Sequence, residues 1–484
     1  MIYGLGTILG RVVSFIMLPV YTRFLSPADY GILQILDLTL DIAAIVVSAG
    51  ATAGLSRFYF KAGTPEQRNQ VLFTGYAIQL ALNLVGGVIL LGASPVIWRL
   101  ALSEAGTLVM VQLAAMNFLT GTLIPVPMHM LRLDQRPVAA VSVSVTKLVV
   151  QLGLNILFVV GLEWGPMGIL VSTFVTNLVV GSGMAWMLIR RTRMAFDWAV
   201  FKDFRRFAIP MQISAAGAFI IQFGDRFFLE ANHGLAVVGV YGVAYQFGFL
   251  LSGMIGHPFM SAWNPRSYQL VTLPPEERNR AYNRALLVGN LVLITGAVLI
   301  ATFIRPVIRV MTTPEFHAAA GLVPVILAAA VLHNWVSVVS FGITVSERTR
   351  YAAISTWITV FLILALYAVL IPPYGAMGAA VATLVAMAVR VVITHGFSQR
   401  LWRVEYDWQR HFLLYAVAAS AVGGVFAFSP PGLIGLSALG IAGALVYAGL
   451  TWFVVLRPEE RATYARIIRA PRRLWTYLEP ERKA

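Results

Sequence analysis

The sequence predicts an all-α polytopic membrane protein of about fourteen transmembrane helices: two parallel six-helix lobes followed by an extra C-terminal helix pair. Three observations carry that prediction. Of the 484 residues, 58% are hydrophobic and 12% charged, with a mean hydropathy of +0.78, whereas soluble domains carry about 25% charged residues. Uncharged runs are long: 45 residues from Phe412 to Leu456, broken by "SPPG", and 39 from Tyr351 to Val389, broken by "PPYG". Each run holds two crossings of roughly 20 residues. The third observation is a lopsided distribution of cations along the chain.

Polar and Gly/Pro punctuation divides the chain into helices near 2–23, 31–57, 71–94, 106–131, 138–161, 166–189 and 207–230. The series continues with 236–262, 283–304, 317–345, 351–371, 375–398, 412–429 and 433–456. With these spans, 28 of the 36 Lys/Arg lie in loops after even-numbered helices or in the tail, and five after odd-numbered ones. Arg11, Lys147 and Arg390 lie inside helices. Cytoplasmic loops carry the excess of Lys and Arg, so both termini are expected on the cytoplasmic side. The first segment runs at once into a second without a small-residue cleavage site, and reads as a retained helix.

The net charge of +15 therefore reflects topology and attraction to anionic lipid, and no nucleic-acid partner is expected. The absence of Cys excludes disulfides, thiolate metal sites and cysteine catalysis. The seven His residues show no metal-ligand spacing. There is no phosphate-binding loop, dinucleotide fingerprint or nucleophile elbow. No cofactor and no enzyme activity are expected, and without an ATP-hydrolysing motif any energy must come from an ion gradient, the membrane potential or product consumption.

Internal symmetry supports the two lobes. "GPMGILVST" (Gly165–Thr173) and "GAMGAAVAT" (Gly375–Thr383) agree at five of nine positions, 210 residues apart. "TRFL" at Thr22–Leu25 is echoed by "DRFFL" at Asp225–Leu229, and "RPVAA" at Arg136 by "RYAA" at Arg350. An even six-helix unit repeats in parallel, both copies entering from the same side. The expected organisation is an N-lobe at 1–190, an interfacial linker at 191–206, a C-lobe at 207–400, an extra pair at 412–456 and a basic tail at 457–484. In the linker, Phe196, Trp198, Phe201, Phe204 and Phe207 alternate with cations, as in a helix lying in the membrane interface.

Ionisable groups at membrane depth are costly and mark interiors or water-filled cavities. Arg11 lies 12 residues before Arg23, roughly 18 Å deeper at 1.5 Å per residue. Lys147 is near mid-membrane, Arg57 and Arg390 lie toward the cytoplasmic side, and Arg23 and Arg226 close the first helix of each lobe. Asp37 and Asp41 stand one turn apart, and Asp225 precedes Arg226; these three are candidates for ion coupling or charge pairing. Two readings stay open. In one, Arg11 pairs with Asp41 while Arg57 and Arg390 snorkel to headgroups. In the other, the six cations line a cavity for an anion, guanidinium forks being suited to phosphate oxygens.

The stretch "GLGTILGRVVSFIMLPVYTRFLSPADYGILQ", then "GLSRFYF", "GPMGILVST" and the six-helix repeat resemble the Wzx/RfbX-type polysaccharide-biosynthesis flippases. These belong to the MOP exporter superfamily, with MATE drug exporters and the lipid II flippase MurJ. The resemblance implies a V-shaped transporter in the bacterial cytoplasmic (inner) membrane that moves undecaprenyl-pyrophosphate-linked oligosaccharide through a cationic cavity. It implies cavity roles for Arg23 and Arg57, and a polysaccharide polymerase and chain-length regulator as partners. By similarity to the lipid II flippase, the extra pair is expected to help form a lipid-tail groove. The rival is a MATE-like H⁺- or Na⁺-coupled exporter of organic cations, which needs a net anionic cavity around Asp37 and Asp41.

Overall fold

The computed structural model describes residue 15 and residues 17–102, 105–428, 430–458 and 460–461. Among them there is no strand. The helices are α1 (Leu18–Phe24), α2 (Pro27–Lys61), α3 (Pro65–Ala101), α4 (Leu108–Leu133), α5 (Pro137–Gly161), α6 (Gly165–Thr192) and α7 (Trp198–Phe223, continued by Asp225–His233). Then come α8 (Leu235–Thr272), α9 (Pro275–Met311), α10 (Ala319–Val345), α11 and α12 (350–374 and 376–401, one rod kinked at Gly375), α13 (Trp408–Ala427) and α14 (Gly432–Val455). These fourteen rods follow the order the sequence predicts. Residues 2–14 of the first expected helix and 462–484 of the basic tail lie outside the described residues.

Ten stretches among the described residues are long and apolar enough to cross a membrane, the kinked α11–α12 rod counting once. Their outer faces invert the soluble pattern. Val85, Val88 and Ile89 of α3 and Ile434, Leu445 and Phe453 of α14 are exposed, as lipid-facing residues are when backbone polar groups are satisfied inside the helix. The protein is a multi-pass membrane protein.

Local chemistry sets the helix starts. Ser26 caps α2: its hydroxyl accepts from the Asp29 amide at 3.2 Å, and the Asp29 carboxylate accepts from the Ser26 amide at 3.0 Å. Pro27 occupies the first turn, where no N–H is needed. Thr64 and Gln67 repeat the device at α3. Asp197 caps α7 through the amides of Ala199 and Val200, so the second half of the expected linker continues directly into α7. Its Phe196, Trp198 and Phe201 rings form a cluster with centroids 5.1–6.5 Å apart, Trp198 meeting both phenylalanines edge-to-face.

The two copies of the repeated motif share one backbone device. Gly165 and Gly375 both have positive φ, +55° and +53°, a region L side chains rarely enter. Each glycine turns one helix into the next, α5 into α6 and α11 into α12.

The chain forms two compact units, Met1–Gly242 with Val360–Ala379, and Val243–Thr359 with Ala380–Ala484. The division differs from the repeat boundary near residue 200, because α7 packs along α2 inside the first unit. The same unit contains a close crossing of α2 and the start of α8. A Cβ added at Gly31 would lie 2.0 Å from the Leu235 carbonyl oxygen, and one at Gly239 would lie 1.9 Å from that of Pro27. Only glycine permits this backbone contact.

In the second unit α9 is the hub, packing on α10, α13 and α14. Buried polar links hold it there: Trp335 donates to Asn290, Asn290 meets the His411 ring at 3.2 Å, and Thr295 meets Tyr447 at 3.0 Å. Arg410, at the start of α13, pairs with Glu460 and donates to the Val455 carbonyl at 3.2 Å.

Candidate functional site

In the first unit, three residues of α5 form a polar stripe one turn apart: Lys147, Gln151 and Asn155. The stripe spans about 12 Å along the helix. Its lower end is fully engaged. Gln151 donates to the hydroxyls of Ser172 and Thr173 at 3.2 and 3.0 Å. Buried Asn155 donates to the Tyr21 hydroxyl at 2.6 Å and accepts from Ser172. The network joins α1, α5 and α6, and two of its members are the last residues of the repeated motif.

Lys147 stands at the other end. It is half-buried and makes no hydrogen bond or ion pair among the described residues. A lone charge at membrane depth costs about 2.5–3.5 kcal/mol, so its retention without a carboxylate is the strongest functional signal in this unit. Arg23, two residues beyond Tyr21, is exposed and likewise makes no such bond among the described residues.

The other sequence candidates have different settings. Arg11 lies outside the described residues. Arg57 is exposed on α2, where its neighbour Ser56 bonds the His129 ring of α4 at 2.8 Å. Asp37 and Asp41 lie on an accessible face of α2, and neither forms an ion pair among the described residues. Arg226 is not on an open face; it is 1% exposed. It bonds buried Asp225 at 2.6 Å and the Gln222 carbonyl at 3.0 Å, and lies over the rings of Phe223 and Tyr241. Tyr241 completes the set by donating to Asp225 at 2.5 Å. Burial forces this pairing, because a lone charge there would be uncompensated.

Not every cation near a helix end is free to meet lipid. Arg191 of α6 forks onto Asp134, which also accepts from the Tyr59 hydroxyl at 2.8 Å.

In the second unit, Arg390 of α12 donates to the Thr356 hydroxyl at 3.2 Å, and its buried Nε has no partner. His333 of α10 lies close enough to Arg390 and His257 for their charges to interact. All three groups are basic. No cluster of three or more His, Asp or Glu capable of holding a metal occurs among the described residues.

Sequence reasoning missed the neutral members Tyr21, Gln151, Asn155 and Ser172, as well as His333 and His257. The spacing of Gln151 and Asn155 behind Lys147 was the available signal.

The profile of one protein family, polysaccharide biosynthesis protein, matches residues 1–271. The chain belongs to that family. A protein of the Lsg locus of Haemophilus influenzae (strain Rd) is 32% identical over 107 residues, which cover 21% of this chain. The match spans only 26% of that relative's length. Among solved structures, the lipid II flippase MurJ in an inward closed conformation superimposes with a TM-score of 0.71 at 13% identity. That match covers 94% of this chain and 99% of MurJ. An inward-facing multidrug resistance MATE transporter of the MOP superfamily reaches 0.61 at 15% identity, covering 81% and 95%. The family member thus has the fold seen in MurJ and in the MATE protein.

Proposed function

We propose that the protein flips undecaprenyl-pyrophosphate-linked oligosaccharide units across the bacterial cytoplasmic membrane, by alternating access, for O-antigen, capsule or exopolysaccharide synthesis. The observation that carries this reading is Lys147, an unneutralised cation half-buried at the head of a polar stripe. A pyrophosphate supplies the missing counter-charge through charge-assisted hydrogen bonds. The neutral network of Gln151, Asn155, Ser172 and Tyr21, its groups bonded to one another, fixes the stripe that presents Lys147. Arg23 provides a second cation toward the end of α1, while Arg57 and Arg390 add positive charge to their own units. Arg226 is omitted from this set because it is buried and its Nη1 is held by Asp225 and Gln222.

Both termini face the cytoplasm in this reading, so the α2–α8 glycine crossing lies toward the outer face and must part for release. The lipid-linked glycan is the cargo, and a polymerase and chain-length regulator act on it after release. Energy comes from an ion gradient, the membrane potential or consumption of the product.

The test is replacement of Lys147 or Arg23 by Ala in a strain dependent on this chain. Surface polysaccharide should be lost and the lipid-linked oligosaccharide should accumulate on the cytoplasmic side. Normal export by both variants would sink the proposal. Asp37 and Asp41, accessible and unpaired among the described residues, favour one second reading, a cation-coupled drug antiporter. Drug sensitivity of a deletion strain with unchanged surface glycan would select it.

A further inference from the structure

The second unit carries two adjoining cavities that the flippase reading does not use. The first has a volume of about 450 Å³ and is lined almost wholly by apolar groups of α9, α10 and α13, including Ala297, Ala301, Val331, Ala418 and Val422. The second, about 380 Å³, is bordered by Arg305, Arg309 and His317. Gly321 and Phe426 line both, so the apolar groove opens into the basic mouth.

The mouth is built from specific chemistry. Arg305 stacks on Phe426 at 4.2 Å and donates to the Phe428 and Phe426 carbonyls at 2.7 and 3.2 Å, capping the end of α13. Arg309, one turn further on, is exposed and makes no hydrogen bond or ion pair among the described residues. His317 Nε2 is a buried atom without a hydrogen-bond partner among the described residues. No carboxylate lines either cavity; Glu315, the acidic residue nearest in sequence, is exposed on the preceding turn. Arg305 and Arg309 are also two of the five cations on the face of the chain that is otherwise poor in them.

We propose that this groove and mouth form a binding site for an anionic phospholipid of the outer leaflet, one acyl chain lying in the groove and the phosphate on Arg309 and His317. Charge complementarity selects the headgroup, since basic pockets between membrane helices hold anionic lipid heads. The apolar section has the volume of a small-molecule pocket, which matches a single acyl chain and is too short for a polyprenyl chain of undecaprenyl length. Mass action favours the same occupant, because phospholipid is the bulk component of the leaflet. The site lies beyond residue 271, outside the family-matched segment. It gives α13 a role other than the cargo-tail groove that the resemblance implies.

Native mass spectrometry of the purified full-length protein tests the site. Delipidated protein is titrated with phosphatidylglycerol or with phosphatidylcholine of identical chains. Both lipids present a phosphate, but the choline cation of phosphatidylcholine is repelled by Arg305 and Arg309, so wild type should retain phosphatidylglycerol about tenfold better. An Arg309→Ala/His317→Ala variant should bind the two lipids equally, and Ala419→Phe, which fills the groove, should lose both. Melting temperature of the same samples controls for folding. Equal retention of both lipids by wild type, or an unchanged preference in the double variant, overturns the proposal. Displacement of phosphatidylglycerol by equimolar undecaprenyl phosphate also overturns it, by assigning the site to the cargo. None of these readouts depends on the flipping assay, so this site and the flippase reading can fail separately.

Discussion

Arg23 and Arg226 are the arginines of the echoing TRFL and DRFFL stretches, 203 residues apart, and their surroundings differ sharply. One is exposed and makes no hydrogen bond or ion pair among the described residues; the other is sealed between Asp225, Gln222 and two aromatic rings. The fifth helix of the first repeat and its counterpart tell the same story. The stripe Lys147, Gln151, Asn155 aligns at an offset of 210 with Trp357, Phe361 and Ala365, and Ser172 aligns with Ala382. The glycine turn that starts the motif is kept in both copies, but the polar network is present in one. Both copies of the motif share the backbone device, while the Lys–Gln–Asn stripe stands beside the first.

The sharpest way to break this comparison is to truncate both arginines. Arg226→Ala leaves the Asp225 carboxylate buried without its partner and should cost about 3–5 kcal/mol, read as a large drop in melting temperature. Arg23→Ala should leave stability within about 0.5 kcal/mol, as for surface changes, while abolishing export. Equal melting temperatures for the two variants would erase the distinction. A middle-sized effect is expected at the α2–α8 crossing. Gly239→Ala places a Cβ against the Pro27 carbonyl and should cost about 1–3 kcal/mol, the usual range for overpacking; an unchanged melting temperature would show that the helices part freely.

The smallest effect belongs to Glu460, outside the membrane spans. Burial pushes its carboxyl up, but hydrogen bonds from Arg410 and the Arg457 amide outweigh that and hold it below its ordinary value of 4.5. A depressed folded-state value means its stabilising contribution is present above that pH and disappears as pH falls through the folded value. Glu460→Gln should therefore lower stability modestly at pH 7, where the contribution is fully present, and flatten the acid limb of the stability–pH curve below 4.5, so that variant and wild type converge in acid.

Helix number and order were legible because hydropathy, cation alternation and the Gly-Met-Gly motif all point the same way. The site was legible only in its charged members. Lys147 and Arg23 stand out against apolar neighbours, whereas Tyr21, Gln151 and Asn155 gain meaning only when α1, α5 and α6 come together. The fate of Arg226 was hidden for a related reason. Neighbouring side chains on a helix diverge, so the tie between Asp225 and Arg226 depends on Tyr241, sixteen residues away. His333 and His257 were weighed only as metal ligands, and their nearness to Arg390 is a tertiary fact.

Helix α13 is fastened at both ends by arginine. Arg410 anchors its start to Glu460 and the Val455 carbonyl, and Arg305 of α9 grips its last carbonyls. A rod pinned at both ends behaves as a splint: tilting α9 drags α13 with it, without backlash. The extra pair is thus tied into the second unit at both ends of α13, beside the groove it helps to line.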